Sequence, residues 1–235
     1  MDRFPALSFG PAAARYDRIR PSYPVDAIRW ILGDEPVRVV DLGAGTGILS
    51  RQLVALGHEV LPVEPDPRMA ALSGAVLGTA ERIPLPDASV DAVVAGQAYH
   101  WFDRARAHQE IARILKPGGV FGPIWNDRDE RVPWLAALSA LMDERRGATD
   151  AQPTDFGPWF AAVEEVRFHH EVTQTPEMLV ELMRSRSYYL TAPETERQRI
   201  EVDVRELCAT HPDLAGKARF PLPYVTRAYR ARRLP

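Results

Sequence analysis

The stretch VRVVDLGAGTGILSRQLVALGHEVLPVE, residues 37–64, decides the fold. Its opening, VRVVDL (37–42), is rich in β-branched side chains and has almost no turn formers, so it reads as a strand. GAGTG (43–47) follows at once. A helix is expected from about Thr46 to Ala55, where Leu49, Leu53 and Leu56 fall at i, i+4 and i+7 and build one inward stripe. Gly57 suits its end, and HEVLPVE (58–64) reads as a second strand. Pro67 then suits the first turn of a second helix, where a missing N–H costs nothing.

Outward from this unit the alternation continues. AVLGTA (75–80) is a weak third strand and SVDAVVAGQA (89–98) holds a fourth. Residues 104–115 form a helix with His108, Ile111, Ile114 and Leu115 on one side, and KPGG is expected to break it before a fifth strand, Gly119–Trp125. Short apolar strands alternating with helices mark a parallel sheet covered on both faces. Toward the C-terminus, helices are expected over 131–146, 176–187 and 194–210, and strands over Val163–Thr173 and Phe220–Arg230. Residues 148–155 are the best loop candidate, and a helix is expected from Pro24 to Leu32 after an irregular arm. The chain reads as one domain over 1–235, with an arm and helix at 1–32, a core at 37–126 and a helical insert at 176–215.

Composition narrows the function. The 46% apolar content supports a sizeable core, and 29 basic against 32 acidic residues leave a net charge of −3, with no general pull toward nucleic acid or anionic lipid. A single cysteine, Cys208, excludes an internal disulfide and a cysteine-based zinc cluster, so no metal site is expected. No stretch approaches the ~20 apolar residues needed to span a bilayer, and the first residues lack the apolar run of a signal peptide, so a cytoplasmic protein without membrane insertion is expected.

The glycine-rich turn is the candidate site. Glycines at 43, 45 and 47 leave the backbone bare, so a ligand can lie directly against it. The dinucleotide fingerprint asks for Gly or Ala at position 48 and the phosphate-binding loop asks for Lys followed by Ser or Thr, whereas the chain has Ile48 and Leu49. Asp41, at the head of the turn, sits badly beside a pyrophosphate and well beside a cation. Glu64, at the end of the second strand, offers two oxygens to the hydroxyls of a ribose. Together they point to a ligand with a nucleoside end and a positively charged end.

Residues 37–126, through GTAERIPLPDASVDAVVAGQAYHWFD and ARILKPGGVFGPIWN, resemble class I S-adenosylmethionine-dependent methyltransferases. FGPAAARYDRIRPSYP and ELMRSRSYYL resemble the small-molecule subgroup that includes ubiquinone/menaquinone and trans-aconitate methyltransferases. The resemblance implies an α/β fold with a doubly wound, mostly parallel seven-stranded sheet and helical lid elements. It implies S-adenosyl-L-methionine as cofactor and a small-molecule methyl acceptor, with no nucleic acid partner and a monomer or homodimer. It places Gly43, Ala44 and Gly45 along the methionine and ribose, Asp41 near the amino end, Glu64 on the ribose hydroxyls and Pro65 against the adenine. Ala80 and Glu81 would edge the base, Gln97 would face the sulfonium, and Tyr16 would close over the cofactor with Arg20 in the same arm. One departure is Glu64-Pro65-Asp66-Pro67 where the family usually has an Asp-x-Ser segment.

His100 is the candidate general base, because an imidazole titrates near neutrality and the residue follows the fourth strand. Ordering that loop, or a hydrogen bond to the cofactor, is the more ordinary reading of the residue. Tyr99, Trp101, Arg184 and Tyr188 are candidate substrate-pocket residues, the arginine because a guanidinium fork suits a carboxylate. His169 and His170 point to opposite faces of one strand and cannot share a metal. Two further readings stay open: a methyltransferase acting on RNA or protein, and a protein that binds the cofactor without transferring from it. No Asn-Pro-Pro-Tyr tetrad follows the fourth strand, as methylation of a base amine would require.

Overall fold

The computed structural model describes residues 19–143 and 153–235. Among these, seven strands form one sheet: β1 (Arg38–Leu42), β2 (Glu59–Glu64), β3 (Val76–Leu77), β4 (Val90–Gly96), β5 (Leu115–Arg128), β6 (Glu164–Gln174) and β7 (Phe220–Arg232). Their order is β3-β2-β1-β4-β5-β7-β6. The pairs β1–β2, β1–β4, β2–β3 and β4–β5 are parallel. β7 runs against β5: the Gly118 N–H bonds the Arg233 carbonyl at one end, and the Asp129 N–H bonds the Pro223 carbonyl at the other. The expected doubly wound, mostly parallel sheet is what the chain builds.

The helices are α1 (Val25–Leu32), α2 (Ile48–Ala55), α3 (Pro67–Ser73), α4 (Arg104–Ile114), α5 (Pro133–Asp143), α6 (Pro176–Arg184), α7 (Ser187–Thr191) and α8 (Glu194–Thr210). Pro67 takes the first-turn position, and the Asp66 side chain caps α3 by accepting from the N–H groups of Arg68 and Met69. None of the described helices is long and apolar enough to cross a membrane.

The chain divides into two compact units. The described part of the first comprises residues 22–126, 153–168 and 226–235. Its buried apolar residues include Val40, Leu42, Val93, Ile111, Phe121 and Tyr229, with Val39, Leu49, Leu53 and Val94 on the α1 and α2 side. The leucines of the expected α2 stripe supply two of these, Leu49 and Leu53, and Leu56 packs beside them. The described part of the second unit comprises residues 19–21, 127–143 and 169–225. There Trp134, Leu138, Leu179, Met183, Ile200, Val204, Cys208 and Leu222 form a separate core.

Several boundaries differ from the sequence reading. The helix does end just before KPGG, at Ile114, but the fifth strand begins ahead of Gly119: Lys116–Gly119 lies inside β5, with Gly118 at φ 77° and a register shift between Val90 and Ala92 absorbing the irregularity. The third strand shrinks to Val76–Leu77, because the next residues turn through a bridge between Thr79 and Arg82. The helix expected over 176–187 stops at Arg184, and a separate short helix starts at Ser187.

Candidate functional site

Strand order reverses at β1: β2 and β3 lie on one side of it and β4 and β5 on the other. The carboxyl ends of β1, β2 and β4 therefore border one crevice, the usual binding position in an open parallel sheet. The turn after β1 opens there. Gly43, Gly45 and Gly47 have φ values of 74°, 56° and 84°. The N–H groups of Gly43 and Ala44 both donate to the Val63 carbonyl, at 2.8 and 3.1 Å, which ties the turn to the end of β2.

Glu64 completes the link. Its Oε2 accepts the Gly45 N–H at 2.8 Å and its Oε1 accepts the Asp66 N–H at 3.0 Å. Burial pushes its pKa up, these two N–H groups pull it down, and the Asp66 carboxylate pushes it up again. The carboxylate is thus folded onto the turn, at the tip of β2. Pro65 beside it is half-buried, and Ala80 is buried.

Asp41 sits under the turn rather than on it. Its side chain is 1% exposed, and its Oδ2 accepts from the Ser50 hydroxyl at 2.6 Å. Ser50, a partner that nothing in the motif pattern announced, is buried on α2. Burial pushes the Asp41 pKa up to about 6, the Ser50 hydroxyl and N–H oppose it, and the Glu64 charge adds to it. The folded-state pKa exceeds the unfolded one, so this group stabilises the fold fully below the unfolded pKa, and that contribution is lost as pH rises through about 6. The swing is roughly 3 kcal/mol at 1.36 kcal/mol per pKa unit. Asp41→Asn is expected to flatten urea-unfolding stability between pH 4 and pH 7 and to exceed the parent at pH 8. A variant with the parent's pH dependence would remove Asp41 as its source.

β4 ends in a strained residue. Gln97 has φ 55°, uncommon for a side chain of this kind. Two bonds to the neighbouring strand hold it: its N–H to the Ile124 carbonyl at 2.9 Å and its Nε2 to the Asn126 carbonyl at 2.9 Å. Asn126 is itself fixed, donating to the Ser22 carbonyl and accepting from the Thr226 hydroxyl. The brace aims Gln97 from the strand end, and Asn126 is a supporting residue that sequence reasoning missed.

A single 3-10 turn, Tyr99–Trp101, carries the next candidates. The His100 and Trp101 rings lie 4.7 Å apart, and Trp101 is 39% exposed. Tyr99, expected on the substrate pocket, is instead in the core at 1% exposure. Its hydroxyl meets His108 Nε2 of α4 at 3.0 Å, and Phe102, Phe121, Trp125 and Phe156 surround its ring. The buried phenol finds its polar partner inside the core. Glu81 accepts the Asp103 N–H at 2.9 Å, which ties the segment after β3 to the start of α4.

The remaining candidates lie in the second unit. Arg184, expected as a carboxylate fork, is engaged within the protein: Glu181 and Glu201 both bind its guanidinium, and Tyr189 also donates to Glu201. The Tyr188 hydroxyl donates to the Met183 sulfur at 3.3 Å. Arg20 binds Ser185 through both its hydroxyl and its carbonyl. Tyr16 lies outside the described residues.

Comparison with known proteins agrees with this arrangement. A family model described as a methyltransferase domain matches residues 40–122. An uncharacterized methyltransferase of Mycobacterium tuberculosis is 46% identical over 233 residues, spanning 96% of each chain. An uncharacterized methyltransferase-like protein of Schizosaccharomyces pombe is 32% identical over 249 residues, spanning 97% of this chain and 96% of that one. Among solved structures, a protein of Anaeromyxobacter dehalogenans assigned as a type II methyltransferase superposes with a TM-score of 0.66 at 23% identity, over 92% of this chain and 99% of that one, a likeness of fold. With near-complete alignment to its relatives and the glycine turn set at the point where strand order reverses, the chain belongs to the S-adenosylmethionine-dependent methyltransferases.

Proposed function

We propose that the chain binds S-adenosylmethionine at the turn after β1 and transfers its methyl group to a small-molecule acceptor by in-line displacement. The observation that carries this reading is the Glu64 carboxylate, seated on the Gly45 N–H at the tip of β2. Each of its oxygens accepts one backbone N–H and keeps a second acceptor position, which suits the paired hydroxyls of a ribose. The turn also leaves a buried hydroxyl: Thr46 Oγ1 has no hydrogen-bond partner among the described residues. The residues present fit the cofactor.

When bound, the cofactor supplies an electrophilic methyl on a sulfonium. The chain's own residues bind and align. Glu64 holds the ribose, the bare backbone of Gly43, Ala44 and Gly45 admits close approach, and Pro65, Ala80 and Glu81 border the base. Asp41, beneath the turn, biases the site toward positive charge. Gln97 presents a braced amide beside the reacting end and places no cation there. The His100 imidazole takes the acceptor's proton on a ring nitrogen where the acceptor atom carries one. Orientation of the acceptor supplies most of the acceleration, since the leaving thioether is neutral.

Calorimetric titration should show S-adenosylmethionine binding at micromolar strength and no heat from reduced nicotinamide dinucleotide. With methyl-labelled cofactor and a mixture of small acids and phenols, label should pass into a low-mass product. His100→Ala should slow that passage about 100-fold with cofactor affinity intact. Binding of the nicotinamide in place of the cofactor would end the reading, and unchanged transfer in His100→Ala across pH would remove the base.

A further inference from the structure

Gln97 leaves β4 in a conformation that its neighbours enforce. Its φ is 55°, and a left-handed residue with a long side chain persists only where the surroundings over-determine it. Both flanking residues are packed tightly. A Cβ on Gly96 would stand 2.8 Å from the Tyr23 hydroxyl and 3.2 Å from Leu49 Cδ2 of α2. On the other side, a Cβ on Gly43 would stand 2.7 Å from the Ala98 Cβ. Gln97 is therefore held beside the glycine turn, between a residue that touches α2 and one that touches the turn itself. All of these residues belong to the first unit.

Chemistry fixes the sense of its amide. A backbone carbonyl only accepts, so the atom that meets the Asn126 carbonyl at 2.9 Å must be Nε2, and Oε1 lies on the other arm. Asn126 cannot swing to suit an inverted amide. It is 4% exposed, its Nδ2 donates to the Ser22 carbonyl at 3.0 Å, and its Oδ1 accepts from the Thr226 hydroxyl at 2.5 Å. The Gln97 N–H donates to the Ile124 carbonyl. No described residue donates to Oε1, and the half-buried side chain leaves that oxygen open. An amide oxygen is the negative end of its dipole. It attracts a cation or a donor and gains little from a neutral apolar group.

We propose that Gln97 Oε1 reads the charge of the reacting group, favouring the sulfonium of S-adenosylmethionine over the neutral thioether left after transfer, with Asn126 as the positioning residue that keeps the oxygen forward. This rests on the methyltransferase reading and adds to it a residue that tells cofactor from by-product. On transfer the acceptor's lone pair bonds the methyl carbon, the electron pair of the C–S bond stays on sulfur, and a proton carried by the acceptor atom passes to His100. The sulfur is then neutral and the attraction to Oε1 is gone. The by-product keeps only the contacts that both molecules share, those of its ribose with Glu64 and of its backbone-facing side with the turn, so it exchanges more readily for fresh cofactor.

The test needs no acceptor. The full chain is titrated calorimetrically with three ligands: S-adenosylmethionine, S-adenosylhomocysteine, which lacks the methyl and the charge, and sinefungin, in which a carbon bearing an ammonium replaces the sulfonium. Gln97→Met keeps the side chain's length and removes the oxygen. It should weaken sinefungin about tenfold or more, since a charged donor loses its acceptor. S-adenosylmethionine should weaken severalfold and S-adenosylhomocysteine least. Gln97→Glu keeps an acceptor and adds negative charge, so its preference for the two cations should equal or exceed the parent's. Ratios between ligands on one sample are unaffected by a partly unfolded fraction, and Gln97→Glu alone decides if Gln97→Met does not fold. Equal losses for all three ligands in Gln97→Met, or no loss for any, overturn the proposal. So does a Gln97→Glu preference below the parent's. In each of those cases the parent still binds, and this inference falls alone. A parent that binds none of the three sinks the reading beneath it.

Discussion

Gly43→Ala is expected to lower stability by roughly 2–5 kcal/mol and to abolish cofactor binding. The number combines two costs. At φ 74° an alanine occupies the left-handed region, at about 1–2 kcal/mol. Its Cβ would also stand 2.7 Å from the Ala98 Cβ, a group fixed directly to backbone that has no flexible end to swing away. Relieving that overlap adds about 1–3 kcal/mol. Either the turn or the segment after β4 must move, and the turn carries the N–H bonds of Gly43 and Ala44 to Val63 and of Gly45 to Glu64. Gly74→Ala is the matched control. It too has a positive φ, 68°, but its Cβ would meet nothing within 4 Å. Urea unfolding of both variants separates the terms: Gly74→Ala should lose only the conformational part and keep cofactor affinity. Equal losses in the two would show that the close approach of β1 and β4 carries no weight.

The same contrast explains what could be read from the chain. β1, α2, β2, β4 and α8 were legible because their signals are local: a β-branched run, a leucine stripe at helical spacing, a proline or glycine at a boundary. α8 spans Glu194–Thr210, as read. KPGG marked the end of α4, but its place inside β5 was not legible, because a neighbouring strand can absorb a left-handed glycine by a register shift, and that depends on a partner which local sequence does not reveal. The turn divides along the same line. The left-handed glycines and the place of Glu64 at the tip of β2 were legible from residue type and spacing. Ser50 under Asp41, and Asn126 holding Gln97, were not, since each is an ordinary polar residue until the fold supplies its partner. The internal partners of Tyr99 and Arg184 were hidden for a related reason. An aromatic and an arginine suit a pocket equally well as they suit a core, and only the contacts with His108 and with Glu181 and Glu201 decide.

Glu64→Gln should weaken S-adenosylmethionine binding by about 100-fold or more while leaving the fold in place. A charged acceptor contributes roughly 1.5–3 kcal/mol per hydrogen bond, so two ribose hydroxyls on one carboxylate put the loss at up to about 3–6 kcal/mol. The substitution keeps the side chain's length but turns one oxygen into an amine, which donates where an acceptor is needed. One of the two backbone bonds, from Gly45 or from Asp66, must therefore be given up. Against that loss stands a gain, because burial already disfavours the ionised carboxylate and a neutral amide escapes that penalty. The two nearly offset in stability, and Tm should shift by only a few degrees. They do not offset in binding, where the amide has a single oxygen for two hydroxyls. Calorimetry with the cofactor, paired with thermal unfolding of the unliganded variant, reads both quantities. An unchanged Kd would remove Glu64 from the ribose. A large fall in Tm alongside weaker binding would instead make Glu64 a strut of the glycine turn, holding Gly45 in place and touching the ligand only through it.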